Sequence, residues 1–310
     1  MDHKIFVTLS TFAQQGDEPL NILKESGIPF IVNESGKRIT KEELIAQGKD
    51  CTGVVAGVEP YDKEVFDHLP NLQCISRCGV GIDSINLAMA KERGIVVCNT
   101  PDVIVPPVAE LTVAFAFDLL RNVTQYTLLM REKKWQRMTG FLLQGKKVGV
   151  LGLGRIGKRV AEMMLALGAD VYGADIAPDH AWVEKAGVKL VSLNELLKIS
   201  DILSIHLSFS ADNPFQLGKE EIAMMKQGSF VINVARGNFL DETALHEALK
   251  NGHLAGAALD VYSQEPYTGL LCECDNVILT PHVATLTKES RLQMETEAVK
   301  NLVDYLSDDK

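Results

Sequence analysis

The sequence predicts an α/β protein whose core is a doubly wound parallel sheet, and three observations carry that reading. Short apolar runs alternate with helical segments along nearly the whole chain. A strand, a glycine turn, a helix and a second strand follow one another without interruption between residues 147 and 175. The chain has 310 residues, 46% hydrophobic and 23% charged, an ordinary globular balance with room for about two domains.

In chain order, the first strand candidates are Ile5 to Leu9, Ile28 to Val32, Gly53 to Ala56, Gln73 to Ser76 and Ile95 to Cys98, with a helix expected over Asp83 to Arg93. Pro101, Pro106 and Pro107 break the pattern. The stretch that follows to Arg121 reads as a strongly apolar helix, one that must be buried against another domain or subunit. After the 147–175 unit come strands at Ile202 to Ile205, Phe230 to Val234, Ala255 to Leu259 and Val277 to Leu279, with a helix at Glu242 to Asn251. The last helix, Lys288 to Leu306, places Met294, Ala298, Leu302 and Leu306 at helical spacing.

The 147–175 unit, KVGVLGLGRIGKRVAEMMLALGADVYGAD, has the pattern of a dinucleotide-binding βαβ. Gly152 permits the tight turn out of the strand, Gly154 lets the backbone approach a pyrophosphate, and Gly157 lets the helix pack on the sheet. A helix N-terminus with unpaired N–H groups favours the anion, and Arg155 adds a guanidinium. Asp175, at the end of the second strand, is placed to accept from ribose hydroxyls and to repel a 2′-phosphate, so NAD is expected rather than NADP. A glycine-rich turn can also serve packing alone; the flanking strand, the apolar helix face and the distal acid together favour the cofactor.

The net charge of −10 and pI of about 5.3 argue against nucleic acid as a partner, while leaving room for a small anionic substrate in a local basic pocket. No apolar run approaches the ~20 residues needed to span a bilayer, and the N-terminus lacks a signal-like apolar core, so no membrane association and a cytoplasmic location are expected. The six cysteines, Cys51, Cys74, Cys78, Cys98, Cys272 and Cys274, show no C-x2-C spacing; reduced thiols and no metal are expected.

Ligands of open α/β sheets bind at the carboxyl ends of strands. Three reactive side chains stand there: Arg236 after FVINVARG, Glu265 after LDVYSQEP, and His282 in VILTPHVAT. Hydride exchange with a 2-oxo acid needs a cation to hold the carboxylate and polarise the carbonyl, and an acid to protonate the developing alkoxide. Arg236 suits the first task and His282 the second, with Glu265 fixing the ring and stabilising the imidazolium. Taken singly, each residue reads more simply as structural or surface; their joint placement is what favours catalysis.

The strings GVGIDSINLAMAKERGIVVCNTP, KWQRMTGFLLQGKKVGVLGLGRIG, MKQGSFVINVARGNFLDETALHEALKNGHLAGAALDVYSQEP and NVILTPHVAT resemble the D-2-hydroxyacid dehydrogenase family, most of all its phosphoglycerate-oxidising members, over nearly the whole chain. The resemblance implies that Arg236, Glu265 and His282 are catalytic. It implies that the Val80 and Gly81 N–H groups receive the substrate carboxylate, and that the NAD site is lined by Arg155, Ile156, Asp175, His206, Leu207, Val234, Ala235, Arg236, Asp260, His282 and Ala284. It also implies a discontinuous architecture, with a doubly wound Rossmann coenzyme domain (101–285) inserted into a smaller flavodoxin-like α/β substrate domain (1–100 plus 286–310). A homodimer through the helix after Pro107, and a cleft between the domains that closes on substrate, are further expectations.

Departures bear on the substrate. Phosphoglycerate-oxidising relatives commonly carry an arginine after the third strand, where this chain has Ala56-Gly57-Val58. Arg77, Lys134 and Arg137 remain as candidate anion contacts. 3-Phosphoglycerate/phosphohydroxypyruvate is the leading substrate pair, hydroxypyruvate or glyoxylate reduction the alternative, and an NAD-responsive corepressor or scaffold the alternative from another class.

Overall fold

The computed structural model describes residues 3–208 and 215–308, which fall into two compact units. The first runs to Ile104 and resumes at Thr285; the second is Val105–Ala284.

The first unit contains β1 (Ile5–Val7), α1 (Glu18–Ser26), β2 (Phe30–Val32), α2 (Lys41–Gly48), β3 (Gly53–Ala56), α3 (Lys63–His68), β4 (Cys74–Arg77), α4 (Leu87–Glu92) and β5 (Val96–Cys98). Its strands are all parallel, in the order β2-β1-β3-β4-β5, the flavodoxin-like arrangement. Phe6, Val54, Ala56, Ile75 and Phe66 are buried together on one side of the sheet. The helix expected from Asp83 begins only at Leu87. Ile85 is held in a parallel bridge to Tyr61, and Asn86 accepts from Met89 N as the N-cap, so the preceding residues belong to the turn.

The second unit opens with α5 (Val105–Arg121) and α6 (Val123–Arg131), a second helix beyond the one expected there. Of the prolines expected to break the chain, Pro101 precedes α5, while Pro106 and Pro107 lie inside its first turn, where a missing N–H costs nothing. There follow β6 (Lys147–Leu151), α7 (Arg155–Ala166), β7 (Asp170–Ala174), α8 (His180–Ala186), β8 (Lys189–Leu190), α9 (Leu193–Ile199), β9 (Ile202–Ile205), α10 (Lys219–Met224), β10 (Ser229–Asn233), α11 (Glu242–Lys250), β11 (Leu254–Leu259) and β12 (Val277–Leu279).

These seven strands are again all parallel, in the order β12-β11-β10-β9-β6-β7-β8. Two apolar layers cover the sheet. One joins Val108, Phe115 and Leu119 of α5 to Val160 and Met164 of α7; the other joins Leu196 and Leu197 of α9 to Leu245 and Leu249 of α11. Buried branched side chains on every central strand are what a sheet covered on both faces requires. The strand order reverses between β6 and β9, and in such sheets the crevice at the reversal is where ligands bind.

The chain ends its described part with α12 (Lys288–Asp308), which belongs to the first unit and buries Met294, Ala298, Leu302 and Leu306 as their spacing required. Among the described residues, no helix is long and apolar enough to cross a membrane.

Candidate active site

The glycine turn sits at the strand reversal. Gly152 has φ of +93°, and a Cβ there would lie 2.6 Å from the His206 carbonyl oxygen at the end of β9, so only glycine lets the two strand ends meet. At Gly157 a Cβ would come within 1.9 Å of the Gly152 carbonyl oxygen, and α7 could not lie against the turn. Gly154 differs: its Cβ direction is open space, and as the N-cap of α7 it offers no side chain to the first-turn N–H groups. An exposed glycine at an uncapped helix start is what a pyrophosphate requires, so these residues fit the dinucleotide the motif implies. Asp175 is tied to the turn, Oδ2 accepting from Leu153 N at 2.6 Å and Oδ1 from Ala177 N at 2.8 Å.

Two other expected cofactor residues face inward. The His206 ring is buried with its Nε2 2.7 Å from Ser204 Oγ, and burial pushes its pKa down to about 3, so the imidazole is neutral. What His206 and Leu207 present beside the glycine turn is backbone. Asp260 is 0% exposed and accepts from Thr280 Oγ1 (2.5 Å), Val283 N (2.8 Å) and Ala284 N (2.9 Å).

That acceptor set explains the position of His282. Its φ is +54°, a left-handed conformation uncommon outside glycine, and the following two N–H groups are gripped by Asp260. The turn aims the ring at Glu265, whose Oε1 and Oε2 lie 3.0 and 2.9 Å from His282 Nδ1. A carboxylate only accepts, so Nδ1 carries hydrogen and the neutral ring keeps its lone pair on Nε2. Both side chains remain 40–48% exposed, within reach of a ligand.

Arg236 follows β10, in a loop fixed by the fully buried Asn233: its Nδ2 donates to the Arg236 carbonyl at 2.9 Å and its Oδ1 accepts from Ala235 N at 3.1 Å. The Arg236 guanidinium donates to the Ala235 carbonyl at 2.7 Å. The next residue, Gly237, is one that linear spacing does not single out. A Cβ there would fall 1.9 Å from the Tyr262 carbonyl carbon, so glycine alone lets the Arg236 loop pack on the loop that bears Glu265. Within the second unit, then, Arg236, Glu265 and His282 occupy three loops that are hydrogen-bonded or packed in sequence at the carboxyl end of neighbouring strands.

Arg77, Val80 and Gly81 lie in the first unit, at and after the end of β4. The Arg77 side chain curls back to donate to the Cys78 carbonyl, and Asn99 Nδ2 donates to the Val80 carbonyl at 2.9 Å, fixing the loop. Cys78 beside it is buried, and burial pushes its thiol up to about 11, which keeps it protonated and unreactive. The end of β3 lacks an arginine in sequence but gains one in space: Arg38 Nη2 donates to the Val58 carbonyl at 2.7 Å. The same loop holds a buried carboxylate, Glu59, accepting from Thr8 Oγ1 (2.5 Å), Gly57 N (3.0 Å) and Tyr61 Oη (3.0 Å). Neither Arg38 nor Glu59 stands out from the linear spacing, because each reaches a strand end from a different element or turn.

The chain is 38% identical over 280 residues to a D-3-phosphoglycerate dehydrogenase of Methanocaldococcus jannaschii, covering 89% of this chain and 53% of that one. It thus spans about half the length of that relative. It is 34% identical over 275 residues to a glyoxylate reductase of Korarchaeum cryptofilum, covering 86% of this chain and 83% of that one. A crystal structure of D-lactate dehydrogenase from Aquifex aeolicus, complexed with NAD and lactic acid, superposes with a TM-score of 0.85 at 27% identity, over 99% of this chain and 97% of that one. Residues 113–284 match the model of the NAD binding domain of D-isomer specific 2-hydroxyacid dehydrogenases, and with more than half its length so matched the chain belongs to that family.

Proposed function

We propose that the protein is an NAD-dependent dehydrogenase exchanging a hydride with a D-2-hydroxy acid/2-oxo acid pair. The observation that carries the reading is the Glu265–His282 contact, held at 2.9 Å in a left-handed turn beside the Arg236 loop. When bound, the nicotinamide supplies the hydride acceptor or donor. In the oxidative direction, His282 Nε2 takes the proton of the substrate hydroxyl, and Glu265 stabilises the imidazolium through Nδ1. In the reductive direction the same nitrogen returns that proton to the alkoxide oxygen. In the second unit Arg236 would hold the substrate carboxylate and polarise the carbonyl; in the first, the Val80 and Gly81 N–H groups are the candidates to receive a carboxylate and Arg77 a candidate anion contact.

Gly152, Gly154, Arg155, Ile156 and Gly157 would hold the pyrophosphate and Asp175 the ribose hydroxyls. His206, Leu207, Val234, Ala235, Arg236, Asp260, His282 and Ala284 would border the remainder of the cofactor, His206 by its backbone and Asp260 by fixing the loop above it. Asp175→Ala is expected to erode the NAD over NADP preference about tenfold in kcat/KM, equivalent to about 1.4 kcal/mol; an unchanged ratio would remove Asp175 from cofactor discrimination.

For the substrate, Arg38 at the end of β3 supports 3-phosphoglycerate/phosphohydroxypyruvate, because it brings a cation to the loop that lacks one in sequence. The buried Glu59 in that loop favours the second reading, an unphosphorylated acid such as hydroxypyruvate or glyoxylate. Oxidation of NADH by the purified protein with each of the three 2-oxo acids decides between them. Phosphohydroxypyruvate is expected to give the highest kcat/KM; equality with hydroxypyruvate would transfer the assignment to the shorter acids.

A homodimer is supported by the apolar side chains of α5 and α6 that stay 39–55% exposed, Phe117, Val123, Leu128 and Met130.

A further inference from the structure

Glu265 can serve His282 only while its own loop is held still; Tyr262 N donates to Glu265 Oε1 at 3.3 Å from within that loop, and a further restraint comes from outside it. Glu242, in the first turn of α11, accepts from Ser263 N at 2.7 Å through Oε1. That contact ties down the residue two before Glu265. Tyr267, two residues after Glu265, is fixed by other contacts. Its ring stacks on Tyr262 with centroids 4.3 Å apart and planes at 15°, and its hydroxyl accepts from Leu271 N at 3.2 Å. Tyr262 in turn donates to the Thr280 carbonyl at 2.9 Å, which lies in the loop that carries His282.

The remaining charged groups of this corner have other duties. Asp241 caps α11 through Thr243 N and Ala244 N, Asp260 holds the His282 turn, and the Arg236 guanidinium bonds its own loop. Glu242 is half-buried and has no role in the chemistry above.

We infer that Glu242 is a positioning residue: by gripping the Ser263 N–H it sets the Glu265 carboxylate against His282 Nδ1. The inference rests on the proposed roles of Glu265 and His282. A misplaced partner leaves the imidazole free to rotate away from the reacting hydroxyl, and misplacements of about 1 Å can cost on the order of 100-fold in rate. Cofactor affinity has no reason to change, since the glycine turn and Asp175 lie on other strands.

The test uses the full chain with NADH and its best 2-oxo acid. Glu242→Ala is expected to lower kcat about 10- to 100-fold with the dissociation constant for NADH, read from its fluorescence, essentially unchanged. Glu242→Gln keeps an oxygen for Ser263 N and is expected to restore most of the rate. Glu242→Asp, which draws the oxygen back from Ser263 N by one methylene, is expected to give a smaller loss and keeps the inference testable where Glu242→Ala folds poorly. In a Glu265→Gln background, Glu242→Ala should cost little further, whereas a merely structural role would cost the same in both. The inference is overturned by full activity in Glu242→Ala, by a Glu242→Gln protein as impaired as the alanine variant, or by full additivity with Glu265→Gln. If Glu265→Gln itself turns over normally, the catalytic reading fails first, and the two failures are distinguishable.

Discussion

His282→Ala is expected to abolish all but a residual of the NAD-coupled reaction, a loss of about 10²–10⁴-fold in kcat, the range over which general acid–base groups act. The structural reason is that the ring does two things no neighbour can replace. It keeps a lone pair on Nε2 because Nδ1 is committed to Glu265, and it holds that geometry in a left-handed turn that the Asp260 contacts impose. Folding should suffer little by comparison. The side chain is 48% exposed, and the main penalty is an alanine at φ +54°, on the order of 1 kcal/mol. His282→Asn avoids even that, since asparagine tolerates the conformation, and it is expected to be as inactive as the alanine variant with a melting temperature close to wild type. Steady-state NADH absorbance, paired with NADH binding and a melt, checks all three. Wild-type-like turnover in either variant would remove His282 from the mechanism.

Much of this site is legible in the linear sequence, and the physical reason is locality. The glycine turn, α7 and Asp175 form one continuous βαβ segment, so spacing alone orders them. Arg236, Glu265 and His282 are far apart in sequence, yet each follows an apolar strand, and the rule that ligands meet strand carboxyl ends brings them into one list. Alternation implies parallel strands, and the handedness of crossovers narrows the possible strand orders without choosing one.

What linear spacing hides is whatever depends on one loop touching another. Gly237 looks like any turn glycine until Tyr262 is placed 1.9 Å from its missing Cβ. Arg38 reads as a surface charge until the end of β3 comes within 2.7 Å of its guanidinium. Helix starts also shift where tertiary contact overrides local pattern, as at Asp83, where the bridge from Ile85 to Tyr61 keeps the turn extended. The resemblance implies His206 and Asp260 as residues lining the cofactor. It does not say which way each side chain turns, and both turn inward.

Asp260 gives the second large effect, and one of a different kind. Asp260→Ala strips the acceptors from Thr280 Oγ1, Val283 N and Ala284 N in a region where Ala284 is 7% exposed and Asp260 itself 0%. Each donor left unpaired away from water costs about 1–3 kcal/mol, and the left-handed turn at His282 loses the contacts that hold it. The variant should therefore lose on the order of 3–5 kcal/mol of stability, visible as a melting temperature lower by roughly 10 °C, together with most of its turnover. The two losses separate in a double variant. If Asp260 acts on rate through the position of His282, then in a His282→Ala background its removal should lower kcat little further, because groups that act as a unit are not additive. The stability cost should persist undiminished, since it arises from the donors and not from the ring. A full and multiplicative loss of rate in the double variant would mean that Asp260 reaches the reaction by a route that does not pass through His282.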